Sequence, residues 1–297
     1  MTVSDIFSSK PTEQIKDYRA KVFVATCSDI PPRVREKLAR DENPLVRASA
    51  ALHKLSKRTF IKLSEDPEPI VRVFVAVNND TPPEILDKLA EDPDPNVRTF
   101  VAMNESISEE TMTKLANDEN KYVRAHLAVN GNAPEWLLSK LIKEGDLPKI
   151  LIAMNRNAPT SVLKEVVENS DITVKILLAL NTSTPKEVLD MLANQKKSIV
   201  KMIVAINRNT SPETLVRLAE EDDFNVRAFV ALNKNTPQEV IDELAKDKRY
   251  ASSIEIRKRA TPDLLFDFTK KFLIYLLEDE EEKSYDERDR KPQYSFS

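Results

Sequence analysis

The residues that most often carry chemistry in proteins are few and scattered in this chain. It has one cysteine, Cys27, two histidines, His53 and His126, and two glycines, Gly131 and Gly145, among 297 residues. Zinc and iron–sulfur sites need clusters of Cys and His, and phosphate-binding loops need glycines in series. No serine or cysteine can be matched by spacing to a His–acid pair. We therefore predict a protein that is not an enzyme and that holds no metal or cofactor.

The composition and charge are those of a folded chain with no general affinity for polyanions. Hydrophobic residues make up 41% and charged residues 32%, which is enough apolar material for a core. The net charge is −4; residues 278–297 hold eight acids and four bases, and residues 1–277 balance at 41 of each.

Signals for export or for membrane insertion are missing from the sequence. No stretch approaches the roughly 20 apolar residues that cross a membrane, and no apolar run follows a basic start near Met1. A lone cysteine also suits a reducing compartment. We expect a cytoplasmic protein without membrane contact.

An internal repeat supplies the elements that would position functional side chains. A Val-Ala-x-Asn-like segment recurs at intervals of 25 or 26 residues and ends at Asn78, Asn104, Asn130, Asn155, Asn181, Asn207 and Asn233. Alanine stands two residues before each asparagine, and large aliphatic residues stand eight and eleven residues after it. The aliphatic pair predicts an amphipathic helix, the A helix, and the apolar run that ends at the asparagine predicts a B helix buried on most sides.

Start signals precede both helices. Thr81-Pro82-Pro83-Glu84 is typical of an N-cap threonine, a proline at the first helical position and a glutamate at the third, and predicts an A helix of about ten residues. A repeat of 26 residues cannot bury its own apolar faces, so successive repeats must stack. We predict an all-α protein, an α-solenoid of about ten two-helix repeats over residues 13–261, after an N-terminal extension over residues 1–12.

The repeat resembles that of a known family. The pattern Asn-x-x-Thr-Pro-x-Glu-x-Leu-x-x-Leu-Ala-x-Asp-x-x-x-x-Val-Arg-x-x-Val-Ala-x-Asn, clearest at residues 78–104, resembles the leucine-rich repeat variant (LRV), a relative of HEAT repeats. The resemblance implies a right-handed solenoid scaffold that alternates α and 3₁₀ helices. Some members bind an iron–sulfur centre through an N-terminal cysteine cluster, which this chain lacks. The HEAT-like alkylpurine DNA glycosylases, with a basic concave surface, are a more distant resemblance.

A base stands six residues before each asparagine. In several repeats an acid stands a further six residues earlier, as Asp92 does before Arg98, which predicts an Asp–Arg ladder between adjacent repeats. Asn169 and Gln195 occupy the place of the acid before Lys175 and Lys201. The alternative is a basic stripe that meets an acidic or phosphate-bearing partner. Its residues would be Lys149, Lys175, Lys196, Lys197 and Lys201.

Trp136 departs from the repeat pattern. Trp136 takes the solvent-facing place that Glu84 has in its own repeat, so we expect it to be partly exposed. It is a candidate partner-binding residue; packing against the irregular segment at Gly145 is the alternative.

Each asparagine is expected to have a structural role at the end of a B helix, in a left-handed conformation or bonded to neighbouring backbone.

The C-terminal region has two predicted parts. Residues 262–277 form an apolar helix that we expect to cap the last repeat, with a dimer or partner surface as the alternative. Residues 278–297 are predicted to be an acidic disordered tail. We hypothesise that it docks weakly on a basic cluster, Arg257, Lys258 and Arg259 with Lys246, Lys248 and Arg249.

These observations favour two functions. The first is a non-enzymatic scaffold that presents a curved repeat surface to a protein partner. The second is a nucleic-acid-binding, DNA glycosylase-like protein that uses the central basic stripe and Trp136. The oligomeric state is not indicated by the sequence.

Overall fold

The computed structural model describes residues 17–259 and 261, and all regular structure in that part of the chain is helical. The helices that end near the repeated asparagine, the B helices, are α1 (Tyr18–Thr26), α3 (Pro44–Ala51), α5 (Pro69–Val77), α7 (Pro95–Met103), α9 (Lys121–His126), α11 (Asp146–Met154), α13 (Ile172–Leu180), α15 (Ser198–Ile206), α17 (Phe224–Leu232) and α19 (Ala251–Arg259). The A helices are α2 (Pro32–Leu38), α4 (Lys57–Ser64), α6 (Pro83–Leu89), α8 (Glu109–Leu115), α10 (Glu135–Ile142), α12 (Thr160–Glu168), α14 (Lys186–Ala193), α16 (Pro212–Ala219) and α18 (Gln238–Leu244). Short 3₁₀ turns lie at Leu127–Val129 and Lys248–Tyr250.

The helices fall into two compact units divided between Val162 and Leu163, inside α12. In the N-terminal unit each B helix from α1 to α9 packs on the next B helix, and the A helix α4 packs on α6. In the C-terminal unit α13 packs on α15, α15 on α17 and α17 on α19, while α14 packs on α16. Each unit is therefore a stack of A and B helices, and the predicted all-α solenoid fold is confirmed.

The core consists of the slots that the repeat keeps constant. The alanine two residues before the asparagine is fully buried, for example at Ala76 and Ala102, so neighbouring B helices approach closely. The paired aliphatic residues of the A helices are also buried, as Leu86 and Leu89 are in α6. Since each repeat contributes the same few side chains, its apolar surface is removed from water only by its neighbours.

The predicted threonine cap is wrong by one residue. Helix α6 begins at Pro83, with Pro82 in the N-cap position, and Thr81 lies outside the helix. The buried Thr81 hydroxyl instead donates to the carbonyl oxygen of Val75 at 2.6 Å. The final carbonyls of a helix lack a partner four residues on; that of Val75 accepts from the N–H of Asn78 at 3.3 Å, and the threonine hydroxyl is its second donor. The A helices are consequently seven to nine residues long rather than about ten.

A serine caps the A helix in the repeats that have serine one position after the place of Thr81. The side chains of Ser108 and Ser211 accept hydrogen bonds from the backbone N–H groups of Thr111 and Thr214, three residues on. In these helices the cap is therefore one position after the place that Thr81 holds in its own repeat.

The B helices are α-helical, which corrects the alternation of α and 3₁₀ helices that the family resemblance implied. Most span nine residues, whereas 3₁₀ runs rarely exceed three or four residues because their hydrogen bonds are less well aligned. The 3₁₀ geometry is limited to helix ends: in α5 the N–H of Asn78 donates to Val75, three residues back.

The asparagines bond to the preceding repeat, and they do so in extended backbone conformation rather than the left-handed one considered above. Asn104 has φ −75° and ψ 124°. Its Nδ2 donates to the carbonyls of Ala76 and Asn78, and Asn130, Asn155, Asn207 and Asn233 repeat this pattern. The structural role predicted for the asparagines is confirmed. The predictions for residues 1–12, 262–277 and 278–297 lie outside the described residues.

Candidate interaction surface

A ladder of ion pairs links adjacent repeats in the N-terminal unit, as predicted, and its register is now defined. Each base pairs with the acid about 20 residues after it, so Nε of Arg98 lies 2.7 Å from Oδ2 of Asp118. The acid six residues before the base contributes its backbone instead, since Nη1 of Arg98 donates to the carbonyl of Asp92 at 2.7 Å. The other pairs of this unit are Lys21–Asp41, Arg47–Asp66, Arg72–Asp92 and Arg124–Glu144.

The ladder keeps its charged groups ionised. Burial alone would raise the pKa of Asp118, but hydrogen bonds from Arg98 and from the N–H of Asn120 hold it below its ordinary value. Asp41 behaves in the same way: burial opposes the hydrogen bonds from Lys21 and Asn43, and its pKa is still lowered. The hydrogen bond to Asp118 raises the pKa of the Arg98 guanidinium. These groups hold the repeats in register and are engaged with one another.

The same register changes the interpretation of the central lysines. Lys201 has an acid after all, because its Nζ lies 2.6 Å from Oε2 of Glu221 in the next repeat. The expectation that Lys201 lacks an acidic partner is therefore wrong, and its side chain is only 15% exposed. Lys175 donates to Oε1 of Gln195 at 3.0 Å, so here the ladder has a neutral acceptor.

The proposed basic-stripe residues lie in both units. In the C-terminal unit, Lys175, Lys196 and Lys197 line one surface depression together with Asp171, and Lys196 and Lys197 are exposed. In the N-terminal unit, Nζ of Lys149 lies 3.3 Å from Oδ1 of Asp146. A contribution of these lysines to binding stays a prediction.

Trp136 is exposed, as expected. It is the second residue of α10, 45% of its surface is accessible, and its Nε1 donates to Oε1 of Glu109 at 3.3 Å. Its role in binding stays a prediction.

His126 is half-buried and bonded through Nδ1 to the carbonyl of Tyr122.

An open apolar face on the B helices of the N-terminal unit was not foreseen. We call it the B-helix face. It consists of the residues one and eight before the asparagine or its equivalent, with the residue four before it between them. Since these positions are spaced i, i+4, i+7, they lie on one side of a helix. Its most exposed members are Leu45, Leu52, Ile70, Val77, Met103, Tyr122 and Met154.

The exposure of this face is substantial and recurs from one B helix to the next. Val77 is 41% exposed, Met103 39% and Met154 58%, while Phe74 and Phe100 between the two rows are half-buried. The B helices of this unit are therefore buried on most sides, as expected, and exposed along one side. In the C-terminal unit the equivalent Ile206 and Leu232 are buried.

Acidic side chains accompany the N-terminal ends of these B helices, and we call them the acidic edge. They are Glu42, Glu68, Asp94, Glu119 and Asp146. Glu119 is 91% exposed and Asp146 is 74% exposed. The corresponding connections of the C-terminal unit carry both signs of charge: Lys196, Lys197, Lys248 and Arg249, and also Asp171, Asp222, Asp223 and Asp247.

Comparison with known proteins identifies the repeat. The family model described as leucine rich repeat variant matches residues 70–94, which comprise most of α5, the whole of α6 and the turn that follows. This one repeat, residues 70–94, is similar to the leucine-rich repeat variant. A solved structure described as a leucine-rich repeat variant with a novel repetitive protein structural motif is 20% identical in sequence. The alignment covers 84% of this chain and 97% of that chain, with a TM-score of 0.48. No curated protein matches the chain.

The LRV pattern explains why sequence analysis missed the B-helix face. The pattern is defined by Ala76, Asn78 and the aliphatic residues of α6, all of which are buried. Positions one and eight before the asparagine vary in type along the chain but stay largely apolar, which is the signal that a helical-wheel comparison of all repeats would have shown. Apolar content alone does not distinguish a slot that faces the core from one that faces solvent.

The described residues contain neither a metal-binding cluster nor a membrane-spanning helix. Within residues 17–259 and 261, no group of three or more His, Cys, Asp or Glu side chains has an arrangement suited to a metal ion. None of the helices in the described part of the chain has the length and apolarity needed to cross a bilayer.

Proposed function

We propose that this protein is a non-catalytic scaffold that binds a protein partner on the B-helix face of its N-terminal unit. The observation that carries the proposal is the repeated exposure of large apolar residues at Val77, Met103 and Met154 on successive or near-successive B helices. A contiguous apolar patch on a soluble protein is typical of a site that another molecule covers.

The character of the face suits a protein surface. It presents aliphatic, methionine and tyrosine side chains, and methionine and tyrosine are enriched at the buried centres of protein interfaces. Methionine adapts to partners of different shape because its side chain is flexible and polarisable. Residues such as Met103 and Tyr122 project from helices held by the asparagine and ion-pair ladders, so little backbone ordering would oppose binding.

The test compares what the full chain and two variants capture from a nuclease-treated lysate. One variant, Val77→Ser with Met103→Ser and Met154→Ser, changes the B-helix face. The matched control, Ile61→Ser with Val216→Ser, changes apolar residues of the A helices that are 41% and 38% exposed. We expect proteins bound by the wild type and the control to be lost from the face variant, with circular dichroism unchanged. Identical capture by the face variant would reject this location.

Nucleic-acid binding is a second candidate, and a different observation favours it. Lys196 and Lys197 are exposed beside Lys175 in one depression of the C-terminal unit. If both contact phosphates, Lys196→Gln with Lys197→Gln should reduce the slope of log affinity against log salt by about two for duplex DNA. Lys201 is unsuitable for this test because Lys201→Glu would place a second acid against Glu221. Absence of DNA binding at low salt would eliminate the candidate.

A further inference from the structure

We infer that the segment occupying the B-helix face is a cationic amphipathic segment of another protein. Its apolar side chains would cover the face, and its Lys or Arg side chains would meet the acidic edge. This inference rests on the proposed function and adds the chemistry of the partner.

Helix capping accounts for Asp94, which caps α7, but not for Glu42, Glu68 and Glu119. Acids at helix N-termini are common because they satisfy free N–H groups and interact favourably with the helix dipole. In α3 and α9, however, the caps are Asn43 and Asn120, whose side chains accept from the N–H groups of Leu45 and Tyr122. Glu42 and Glu119 precede these caps, and Glu68 lies at the cap of α5 without a side-chain cap bond. Three carboxylates of the edge are therefore placed there without a capping role.

Apart from Asp146, whose Oδ1 lies 3.3 Å from Nζ of Lys149, the acids of the edge are not ion-pair partners of any described residue at the ladder distance of 2.7 Å. The acids of the ladder are separate residues, such as Asp66 and Asp118, and each already has a base at 2.7 Å. Glu119 approaches the ladder only at 3.8 Å from Nη2 of Arg98, whose closer partner is Asp118. The edge consequently adds negative charge beyond what the ladder balances.

Apolar and acidic groups meet in one depression between α9 and α11. Tyr122, Ala125, Leu147 and Pro148 provide its apolar lining, and Glu144, Asp146 and Lys121 provide its charged lining. Lys121 lies over the Tyr122 ring at 5.2 Å from the centroid, so its ammonium group already has a partner. Glu144 is paired with Arg124, while Asp146 remains 74% exposed despite its contact with Lys149. A Lys or Arg side chain fits both parts of this lining, because its aliphatic stem suits the apolar residues and its charged end suits the carboxylates.

Charge complementarity thus selects among the possible occupants. A basic segment would be attracted to the acidic edge, and the B-helix face has no basic patch of similar extent among the described residues. An acidic segment would be repelled by the edge along several repeats. The combination of an open apolar face and an acidic edge belongs to the N-terminal unit, because in the C-terminal unit the equivalent apolar residues Ile206 and Leu232 are buried.

The experiment measures binding of two synthetic amphipathic peptides to the full chain by fluorescence anisotropy. The peptides share their leucine positions and length, and one has lysine wherever the other has glutamate. We expect the lysine peptide to bind, with an affinity that falls as salt is raised, and the glutamate peptide not to bind. Glu42→Gln with Glu68→Gln and Glu119→Gln should weaken the lysine peptide by about tenfold.

The matched control is Glu84→Gln with Glu91→Gln and Glu110→Gln, which removes the same charge from exposed positions on α6, the adjoining turn and α8. We expect this control to bind the lysine peptide as the wild type does. Equal weakening by both triple variants, or binding of the glutamate peptide, would overturn the inference, because the response would then reflect net charge alone or apolar contact alone.

The two proposals fail in distinguishable ways. If Val77→Ser with Met103→Ser and Met154→Ser abolishes peptide binding while the acidic-edge variant does not weaken it, the basic partner is rejected and the binding face stands. If the serine variant binds the lysine peptide as the wild type does, the face itself is rejected. Sedimentation of the chain alone tests the remaining occupant: a dimer that the serine variant dissociates would assign the face to a second copy and overturn the inference.

Discussion

The side-chain nitrogen Nδ2 of Asn104 donates to the backbone carbonyl of Asn78 at 3.1 Å, and the two residues hold the same position in consecutive repeats. The same nitrogen reaches the carbonyl of Ala76 at 2.7 Å, and Oδ1 accepts from the N–H of Ser106 at 2.8 Å. Asn104 thus links back to the preceding repeat, while Arg98 of the same helix links forward to Asp118. Each such repeat is joined to its two neighbours by side chains of one B helix.

Removing the backward link should destabilise the chain measurably. Asn104→Ala would leave the buried carbonyls of Ala76 and Asn78 without this donor, so we expect the free energy of unfolding to fall by about 1–3 kcal/mol. Urea unfolding followed by circular dichroism would measure the loss. The control is Asn96→Ala, an exposed residue of α7 whose side chain bonds only to nearby Asp94. A change as small as the control's would show that the asparagines do not hold the repeats together.

An ion pair in place of the Lys175–Gln195 hydrogen bond should raise the free energy of unfolding. Gln195→Glu would convert the hydrogen bond from Lys175 into an ion pair like that of Lys201 with Glu221. We expect a gain of about 0.5–1 kcal/mol in the free energy of unfolding, because the pair is only partly solvated. A double-mutant cycle with Lys175→Met isolates the interaction, and the gain should vanish when Lys175 is absent. A gain that persists in that background would assign the effect to something other than the ladder.

Acid should weaken the ladder in a defined direction. The native pKa of Asp118 is below its ordinary value, so its ionised form favours folding above the ordinary value of about 3.9. This contribution is lost as pH falls from that value through the lowered native one. We expect urea midpoints measured between about pH 6 and pH 3 to fall less steeply in Asp118→Asn than in the wild type. The exposed Asp80→Asn is the control, and equal slopes in the two variants would refute the ladder's contribution.

The two glycines should respond differently to alanine. Gly145 has φ 121° and ψ −164°, a region that L residues rarely adopt, and an added Cβ there would touch nothing within 4 Å. We therefore expect Gly145→Ala to cost about 1–3 kcal/mol through backbone strain alone. At Gly131 an added Cβ would meet only the movable ends of Asn157 and Glu105, and the cost should stay within about 0.5 kcal/mol. Thermal unfolding of both variants would check this order, and an equal cost would contradict it.

The constant positions of the repeat were predictable, and the outcome at Thr81 shows where prediction from sequence stopped. Ala76 and Leu86 were assigned to the core because they recur at fixed spacing, and both are buried. Thr81 also recurs, but its hydroxyl had two possible partners: the N–H groups ahead of it and the carbonyls behind it. The pattern of residue types suits either choice, and only the path of the chain after Val75 selects the carbonyl.

The repeat period, the two helices in each repeat, the buried slots and the existence of an ion-pair ladder were determined by the sequence alone, because local periodicity and helix-start residues specify them. The register of the ladder and the open B-helix face were decided by the tertiary structure. Lys201 finds Glu221 and Val77 faces solvent because of how neighbouring helices lie, and no spacing within a single repeat contains that information.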